Sequence, residues 1–264
     1  MTSQAPPPAA TLDELFGLHG RVAVVIGGTS GRGAASAVAL ATAGATVVVA
    51  GRDARRAAGV AAVIADNGGT ATTAHVDVTE EAQIEALAAT CIAQHGHVDI
   101  LVNAAGIFEM ASGEDCATDA WRRIMDVNVT GTFLACRAFG RHMLERGSGS
   151  IVNFASTDSL VGVPLQAAYC ASKGAVHQLT RTLGAEWIKQ GVRVNAVGPC
   201  DFDTPMIAPA MAGEEYRTWI LDAIPAGRVG QAHEIGGAVV FLASDAASMV
   251  VGHTLMVDGG RTVI

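Results

Sequence analysis

Short runs of β-branched and other apolar residues alternate along the chain with alanine-rich segments of helical length. Seven such runs predict strands, and the third is the weakest; they span residues 22–26, 46–50, 71–76, 100–102, 150–155, 192–197 and 255–257. Several are continuously apolar, as the strands of a parallel sheet covered on both faces must be. Alternating strands and helices with short connections predict an α/β fold, a doubly wound sheet with right-handed crossovers.

The segments between these runs predict the helices that cover the sheet. They span residues 35–44, 55–69, 80–96, 121–146 and a region that includes 167–176. Glycines near positions 44, 68 and 96 fit helix C-termini, because glycine tolerates the left-handed conformation that often ends a helix. With 264 residues, half of them hydrophobic, the chain can bury one substantial core. We therefore expect residues 1–15 to form a disordered tail and 16–264 to form a single domain.

Composition excludes several classes of function. A net charge of −8 disfavours a general nucleic-acid binder, because phosphate contacts need clustered lysines and arginines. No apolar run reaches the roughly 18 residues of a membrane span, and the N-terminus lacks the regions of a signal peptide. Five scattered cysteines lack ligand spacing and predict neither disulfides nor a metal site. We expect a soluble, cytoplasmic protein without nucleic-acid or membrane partners.

A glycine-rich stretch, "GGTSGRG" at 27–33, follows the first predicted strand directly. Glycines 27, 31 and 33 allow a tight turn and a close approach to a pyrophosphate, whose charge the N-terminus of the next helix stabilises. A strand-to-helix connector without a ligand is the alternative. A P-loop is excluded because no Gly-Lys-Ser/Thr follows.

The end of the second strand bears on the choice of cofactor. An NAD site usually has a carboxylate there, whereas the 2′-phosphate of NADP needs room and a cation. Gly51 supplies room and Arg52 a guanidinium, which favours NADP, with NAD as the alternative; Arg52 could also belong to a solvated helix start. Asp77, after the third strand, is placed either to accept a hydrogen bond from adenine or to anchor the next helix N-terminus.

Tyr169 and Lys173 stand four residues apart in "YCASK" and so share one helix face. A nearby ammonium lowers the pKa of a phenol by favouring the phenolate, which predicts a tyrosine that exchanges a proton with an alcohol or carbonyl oxygen. Ser156 follows a strand, at the edge where α/β sheets bind ligands. These three residues suit the interconversion of alcohols and ketones. A tyrosine packed in the core beside a surface lysine is the alternative.

Motifs from about Leu18 to Gly260 resemble, in order, those of the short-chain dehydrogenase/reductase family. They are "GGTSGRG" (27–33), "NAAG" (103–106), "DVNVTGTF" (126–133), Ser156, "YCASK" (169–173), "NAVGP" (195–199), "DTP" (203–205), "GRVGQAHEI" (227–235) and "VDGG" (257–260). The resemblance implies a Rossmann-type, seven-stranded parallel sheet of order 3-2-1-4-5-6-7 with helices on both faces. It also implies hydride transfer at nicotinamide C4 without a catalytic metal, and a homotetramer.

The resemblance implies roles for individual residues. Tyr169 would be the general acid and base, Ser156 would orient the substrate oxygen, and Lys173 would hold the nicotinamide ribose and lower the tyrosine pKa. Asn128 would position a water that relays protons through the lysine. The expected cofactor contacts are Gly27, Thr29, Ser30, Gly31, Arg32, Gly33, Arg52, Asp77, Val78, Asn103, Ala104, Gly106, Tyr169, Lys173, Pro199 and Thr204.

Four residues depart from the family's pattern. Ile26 replaces a threonine and Ala104 an asparagine that are commonly thought to hydrogen-bond to each other, and losing both leaves neither unpaired. Arg32 replaces an isoleucine, and either pairs with the cofactor phosphates or points to solvent. Cys200 replaces a glycine, and either narrows the nicotinamide pocket, strains the backbone, or is an inert small side chain.

The resemblance places the segment 157–166 and the loop 201–223 around the substrate. Both contribute apolar side chains to an expected wall, namely Leu160, Val161, Val163, Met206, Ile207, Tyr216 and Trp219. From these and the catalytic serine we predict substrate contacts by Ser156, Leu160, Val163, Met206 and Trp219. Because few cations are available there, we expect a small, mainly uncharged, hydrophobic ketone or secondary alcohol. Packing of the loop on the domain or on a partner subunit is the alternative.

Three functions are consistent with these observations. The first is an NADP-dependent oxidoreductase of a small alcohol or ketone. The second is a 3-oxoacyl-carrier reductase, which would need a basic patch for its acidic carrier protein; the charge of −8 does not indicate one. The third is a non-catalytic, nucleotide-binding regulatory protein, which would not need Asn128, Ser156, Tyr169 and Lys173 together.

Overall fold

The structure, a computed structural model, describes residues 10–263, so residues 1–9 of the expected tail lie outside it. Its strands are β1 (Val22–Ile26), β2 (Thr46–Gly51), β3 (Thr70–His75), β4 (Ile100–Asn103), β5 (Gly149–Phe154), β6 (Val192–Pro199), β7 (Phe202–Asp203), β8 (Gly230–Gln231) and β9 (Thr254–Val257). Its α-helices are α1 (Leu12–Phe16), α2 (Gly31–Thr42), α3 (Ala54–Asp66), α4 (Glu81–His95), α5 (Thr118–Met125), α6 (Gly131–Arg146), α7 (Ala167–Trp187), α8 (Ala208–Met211), α9 (Glu214–Asp222) and α10 (Gly236–Ala243). A π-helical turn, Asp126–Thr130, joins α5 to α6, and single 3₁₀ turns lie at Thr157–Ser159, Ile188–Gln190, Ala232–Ile235 and Asp245–Ala247.

Seven parallel strands form the main sheet, in the order β3-β2-β1-β4-β5-β6-β9. With β9 as the seventh strand of this sheet, the predicted order 3-2-1-4-5-6-7 is confirmed. The two short strands β7 and β8 pair with each other outside it. Every residue of β1 and β4 is buried, which explains their continuous apolar runs. The edge strand β3 is largely exposed and rich in threonine, which explains its weaker signal.

Successive residues of the strands point to opposite faces of the sheet, and each face has its own core. On one face, Val25 and Val49 pack in a cluster with residues of α2, α3 and α10. On the other, Val24 and Val48 pack with residues of α4, α6 and α7. The carboxyl ends of the strands between these layers are therefore left to form a ligand-binding edge.

The N-terminal boundary differs from the prediction. Helix α1 begins at Leu12, inside the segment for which we expected disorder, and Thr11 and Glu14 close a capping box at its start. The Glu14 amide lies 3.1 Å from Thr11 Oγ1, and the Thr11 amide 2.7 Å from Glu14 Oε2. A threonine followed three residues later by a glutamate signals this motif, and our prediction overlooked it. Within residues 10–263, no helix is both long and apolar enough to span a membrane.

Candidate active site

A cavity of about 640 Å³ opens at the carboxyl ends of β1, β2 and β4. We call it the cofactor groove. It is lined by Ile26, Gly27, Thr29, Ser30, Gly31, Arg32, Gly33, Gly51, Arg52, Asp53, Ala54, Arg56, Val76, Asp77, Val78, Ala104, Ala105, Gly106, Ile107, Val127, Thr204, Pro205 and Met206. Its size lies within the range of small-molecule sites. Most of the predicted cofactor residues are therefore brought together here.

The glycine-rich turn forms one wall of the groove because no side chain fits there. A Cβ on Gly33 would lie 2.1 Å from the Gly27 carbonyl oxygen, and one on Gly27 would lie 2.3 Å from the Ala105 amide nitrogen. Gly27 and Gly31 also have positive φ, at +82° and +52°. Helix α2 starts at this turn, and the Ser30 side chain makes no capping hydrogen bond to it. The backbone and the helix N-terminus therefore fit a dinucleotide pyrophosphate.

Two arginines lie at the end of the groove expected to hold the adenosine. Arg52 Nη1 is 3.8 Å from Asp77 Oδ2, and the Arg52 side chain is 69% exposed. Arg56 lines the same end. The nearest carboxylate along the chain, Asp53, also lines the groove: its Oδ1 accepts the Arg56 amide at 2.9 Å and caps α3, and its Oδ2 lies 3.2 Å from Arg56 Nε. This end therefore offers exposed cations to a phosphate.

Asp77 is engaged in the turn that leads into α4 and also lines the cofactor groove. Its Oδ1 accepts hydrogen bonds from the Thr79 amide at 3.0 Å and the Thr79 hydroxyl at 2.8 Å. The bond from the Thr79 amide is the main cause that lowers the pKa of Asp77. Its other oxygen faces Arg52 in the groove. The carboxylate therefore orders the start of α4 and remains available to a ligand.

Tyr169 and Lys173 lie on the same buried face of α7, as predicted from their spacing. Lys173 Nζ donates to the Phe154 carbonyl at 2.8 Å and lies 5.6 Å from the centroid of the Tyr169 ring. The Phe108 ring meets that of Tyr169 edge to face, with centroids 5.1 Å apart. Tyr169 and Ser156 line the same small cavity. The tyrosine, serine and lysine therefore converge, and Phe108 fixes the orientation of the phenol.

Asn128 lies in the π-helical turn and is 1% exposed. Its Oδ1 accepts the Ile107 amide at 2.8 Å, while its Nδ2 donates to the Ile107 carbonyl at 3.0 Å and to Ser172 Oγ at 3.0 Å. Both polar atoms of the side chain are thus engaged by the protein. A Cβ on Gly106 would lie 3.3 Å from Asn128 Oδ1 and 3.6 Å from Lys173 Nζ. The asparagine therefore holds the loop after β4 against the lysine.

The direction of the Tyr169 shift differs from our expectation. Burial raises the pKa of Tyr169 to about 12, and the Arg32 guanidinium and the Ser156 hydroxyl oppose that rise. Burial, with a contribution from Arg32, lowers the pKa of Lys173 to about 7. The sequence predicted that the lysine would lower the tyrosine pKa. Both side chains are buried, and desolvation of the phenolate outweighs attraction by the Arg32 guanidinium.

The cavity beside Tyr169, which we call the substrate cavity, is polar. It is lined by Arg32, Phe108, Ser156, Thr157, Asp158, Gln166, Tyr169, Cys200, Asp201, Met206, Ile207, Tyr216 and Arg261. Met206, Ile207 and Tyr216 of the predicted apolar wall line it, together with two arginines and two aspartates that we did not place there. We expected few cations around the substrate because we considered only the segments 157–166 and 201–223. Both arginines of the cavity lie outside these segments: Arg32 is in the glycine-rich turn, and Arg261 is near the C-terminal end of the chain.

Three of the five predicted substrate residues lie outside this lining. Ser156 and Met206 are part of it. Leu160 lies at the end of a 3₁₀ turn and is 52% exposed. Val163 is buried but does not line the cavity. Trp219 faces the Arg261 guanidinium, which is 5.3 Å from its ring centroid. The tryptophan therefore contacts Arg261, a residue of the cavity lining, without lining the cavity itself.

Of the four charged residues of the substrate cavity, Arg261 is buried, and Arg32, Asp158 and Asp201 are half-buried. Arg261 is 8% exposed, and its Nη1 lies 3.2 Å from Asp201 Oδ2. Asp158 Oδ1 accepts a hydrogen bond from Thr157 Oγ1 at 3.0 Å. Burial raises the pKa of both Asp158 and Asp201, and Arg261 opposes each rise. The cavity holds equal numbers of arginines and aspartates.

The structure shows the surroundings of three of the residues that depart from the family's pattern, Arg32, Cys200 and Ile26. Arg32 lines both cavities, donates from Nη1 to the Cys200 carbonyl at 3.2 Å, and lies 5.8 Å from the Phe202 ring, so it does not simply point to solvent. Among the described residues, Leu165 is the only non-glycine residue with positive φ. Cys200 therefore does not have the strained, positive-φ backbone that we considered for it. Ile26 is 1% exposed.

Four predicted cofactor residues do not line the groove, namely Asn103, Tyr169, Lys173 and Pro199. The Asn103 side chain points to the neighbouring strand, where its Nδ2 donates to Asn153 Oδ1 at 2.9 Å. Pro199 ends β6 and lies outside the lining. Lys173 and Asn128 are almost fully buried and line neither cavity.

Sequence reasoning missed six residues of the substrate cavity: Phe108, Thr157, Asp158, Gln166, Asp201 and Arg261. Thr157, Asp158, Gln166 and Asp201 lie within the two segments that we placed around the substrate, where attention went to apolar side chains. Phe108 follows the "NAAG" motif closely. Arg261 lies outside both segments, and no local pattern marks it.

Comparisons with known proteins agree with this geometry. The family model described as Enoyl-(Acyl carrier protein) reductase matches residues 27–262. D-threitol dehydrogenase of Mycolicibacterium smegmatis is 40% identical over 253 residues, covering 96% of this chain and 97% of that protein. Galactitol 2-dehydrogenase of Rhizobium johnstonii is 43% identical over 252 residues, covering 94% and 97%. The crystal structure of a gluconate 5-dehydrogenase from Burkholderia cenocepacia J2315, in complex with NADP and tartrate, has a TM-score of 0.92 and 39% identity, covering 96% of this chain and 100% of that one.

Proposed function

The chain belongs to the short-chain dehydrogenase/reductase family, and from this premise we propose that it interconverts a polyhydroxylated secondary alcohol and its ketone with NADP, using Tyr169 to exchange the proton. Its reaction class is that of its relatives, NAD(P)-dependent oxidoreductases acting on CH–OH and C=O groups. The observation that carries the proposal is the convergence of Tyr169, Ser156 and Lys173 where the substrate cavity meets the cofactor groove.

The chain's own groups define the proton chemistry. Tyr169 takes the hydroxyl proton of an alcohol during oxidation and returns it during reduction. Ser156 Oγ accepts the Asp158 amide at 3.2 Å, which leaves its own O–H to donate to the substrate oxygen. Lys173 uses one N–H on the Phe154 carbonyl and has others for the nicotinamide ribose. When bound, the nicotinamide supplies the hydride donor or acceptor.

Asn128 takes a positioning role in this proposal. Its side-chain amide is hydrogen-bonded to the amide and the carbonyl of Ile107 and to Ser172 Oγ. These bonds occupy the group that would hold the water of the expected proton relay. Ser172 Oγ in turn donates to the Tyr169 carbonyl at 2.7 Å. The asparagine thus links the loop after β4 to the helix that carries Tyr169 and Lys173.

The polar substrate cavity supports a polyhydroxylated substrate over a hydrophobic one. The buried hydroxyl, amide and guanidinium groups of this cavity, and its half-buried carboxylates, need hydrogen-bond partners, which an apolar ketone cannot supply. The names of the relatives include two alditol dehydrogenases and a dehydrogenase of a sugar acid. An acyl-carrier substrate, which the family model's description names, has a long apolar chain that this cavity does not match. A non-catalytic role is not retained, since the chain is an oxidoreductase.

Arg52 is proposed to hold the 2′-phosphate of NADP. Replacing Arg52 by alanine should weaken NADPH binding by about tenfold or more and leave NADH binding unchanged, because charge-assisted hydrogen bonds to phosphate are strong and NADH lacks that phosphate. Titrating both nucleotides by fluorescence in the wild type and in Arg52→Ala measures the effect. Arg55→Ala is the matched control, since Arg55 is an exposed arginine in the first turn of α3, three residues after Arg52, and lies outside the groove. Equal loss for both nucleotides would remove this role from Arg52.

We also propose a homotetrameric assembly and a cytoplasmic location. Exposed aromatic side chains on α5 and α6, Trp121 and Phe133, each 40% exposed, support an interface there. The five cysteines are free, as expected in a reducing compartment. Light scattering coupled to size exclusion tests the assembly, and a monomer would contradict it.

A further inference from the structure

We propose that Gln166 and Asp158 make this enzyme selective for neutral polyols over the corresponding sugar acids, by accepting hydrogen bonds from substrate hydroxyls next to the reacting carbon. The inference rests on the proposed function, since it concerns the substrate of the same site. It assigns a specificity role to two side chains that do not take part in the proton transfer.

Gln166 is a buried polar side chain with an unused acceptor. It is 4% exposed and lines the substrate cavity, and its Oε1 has no hydrogen-bond partner among the described residues. Although Gln166 is the N-cap residue of α7, its side chain makes no capping bond. A buried acceptor without a partner is unfavourable unless a ligand satisfies it. The cavity volume of about 30 Å³ leaves room beside Gln166 for a group the size of a hydroxyl, which can donate to this acceptor.

The backbone holds Gln166 firmly in this position. Its carbonyl accepts the Cys170 amide at 2.8 Å in the first turn of α7, and the preceding Leu165 carbonyl accepts the Ala111 amide at 2.9 Å. Leu165 has φ of +63°, an unfavourable value for a leucine. The segment is thus held in a strained conformation that presents the Gln166 side chain to the cavity, three residues before Tyr169.

Asp158 contributes a second acceptor on the serine side. It follows Ser156 by two residues, and the Ser156 side chain caps the turn that carries it. Asp158 Oδ1 accepts from Thr157, and both residues line the substrate cavity. Acceptors from Asp158 and Gln166 therefore flank Ser156 and Tyr169, the two groups expected to hold the reacting oxygen.

The charges of the cavity favour a neutral ligand over a carboxylate. Arg261 is paired with Asp201 at 3.2 Å and faces the Trp219 ring. Arg32 donates to the Cys200 carbonyl and also faces the cofactor groove. An incoming carboxylate would meet two aspartates of like charge and, in Arg261, a guanidinium whose charge Asp201 already balances, whereas a hydroxyl can donate to the free acceptors.

The test compares three substrates with NADP in the full-length enzyme. Galactitol is the neutral polyol, gluconate the sugar acid, and 2-butanol a secondary alcohol without further hydroxyls. The variant Gln166→Met removes the acceptor at nearly constant size, Gln166→Glu keeps an acceptor oxygen, and Asp158→Ala is a second, independent variant. Gln190→Met is the matched control, because Gln190 is exposed after α7 and outside both cavities.

The inference predicts a higher kcat/KM for galactitol than for gluconate in the wild type. Gln166→Met should raise the KM for galactitol by about tenfold, the effect of one lost hydrogen bond, without changing kcat/KM for 2-butanol. Gln166→Glu should keep the KM for galactitol closer to the wild-type value, and Asp158→Ala should raise it as Gln166→Met does. A preference for gluconate, or an equal loss for galactitol and 2-butanol, would overturn the inference.

Binding separates this inference from the proposed function. If none of the alcohols were oxidised, the proposed function would fail. The melting temperature in NADP would still test the inference, since galactitol and not gluconate should raise it, and Gln166→Met should abolish the rise. No galactitol-dependent rise in the wild type would overturn the inference directly.

Discussion

At the scale of single residues, Arg32 distinguishes this site from the family's pattern. It contributes a cation at the boundary between the cofactor groove and the substrate cavity, where the family has an apolar side chain. Its guanidinium acts on the two groups that handle the proton, since it lowers the pKa of both Tyr169 and Lys173. Asp158 and Asp201 face the same region from other elements and raise the pKa of Tyr169.

Removing this cation should shift the pH dependence of alcohol oxidation. Oxidation needs a tyrosine able to accept a proton, so a higher pKa for Tyr169 moves the rising limb of kcat/KM to higher pH. Arg32→Ile should produce that shift, because the Coulombic effect that lowers the tyrosine pKa is lost. The accompanying rise in the Lys173 pKa offsets part of it. Arg32→Lys keeps the charge and should stay closer to the wild type; identical profiles for all three proteins would contradict the account.

The residues that take part in proton exchange were predictable because they form local motifs. Tyr169 and Lys173 are four residues apart on one helix, and Ser156 follows a buried strand. The pKa of Tyr169 was predicted in the wrong direction, because burial depends on how α7 packs on the sheet and spacing does not report it. Gln166 and Arg261 were missed for the same reason, since their importance comes from what surrounds them.

At the scale of elements, the glycine-rich turn determines how closely α2 approaches β1. Alanine at position 33 would place a Cβ 2.1 Å from the Gly27 carbonyl oxygen, so the turn would have to open. Gly33→Ala should therefore lower the melting temperature and weaken NADPH binding together. Gly237→Ala is the control: its Cβ would meet nothing within 4 Å in α10, and it should raise stability by about 0.5–1 kcal/mol. Unchanged NADPH affinity in Gly33→Ala would show that the turn does not cradle the cofactor.

The elements themselves were largely predictable, with instructive exceptions. The seven predicted strands agree with those of the main sheet to within two residues, because apolar runs report burial on both faces. The segment 121–146 was predicted as one helix, yet a π-helical turn interrupts it at Asp126–Thr130 and carries Asn128. A single inserted residue hardly changes helical periodicity, so the sequence pattern cannot show it. Helix α1 is too short for periodicity, and only its capping box marks it.

At the scale of the whole molecule, the sheet topology assembles the site from distant parts of the chain. Arg261 and Asp201 are 60 residues apart in sequence, yet they pair beside a tyrosine on α7. Such contacts follow from the strand order, which places β6 next to β9 and β5. The resemblance to the family was enough to predict the strand order. The polar character of the substrate cavity could not be predicted in this way, because it depends on side chains that come together only in the folded protein.

Oxidation of galactitol with NADP, followed by NADPH absorbance in the wild type and in Tyr169→Phe, tests the central claim most directly. The account predicts NADPH formation by the wild type and a loss of about 100-fold or more in Tyr169→Phe, the contribution typical of a general acid or base. NADPH binding should be retained in the variant, which shows that the fold and the groove are intact. Comparable rates for the two proteins would contradict the assignment of Tyr169 as the group that exchanges the proton.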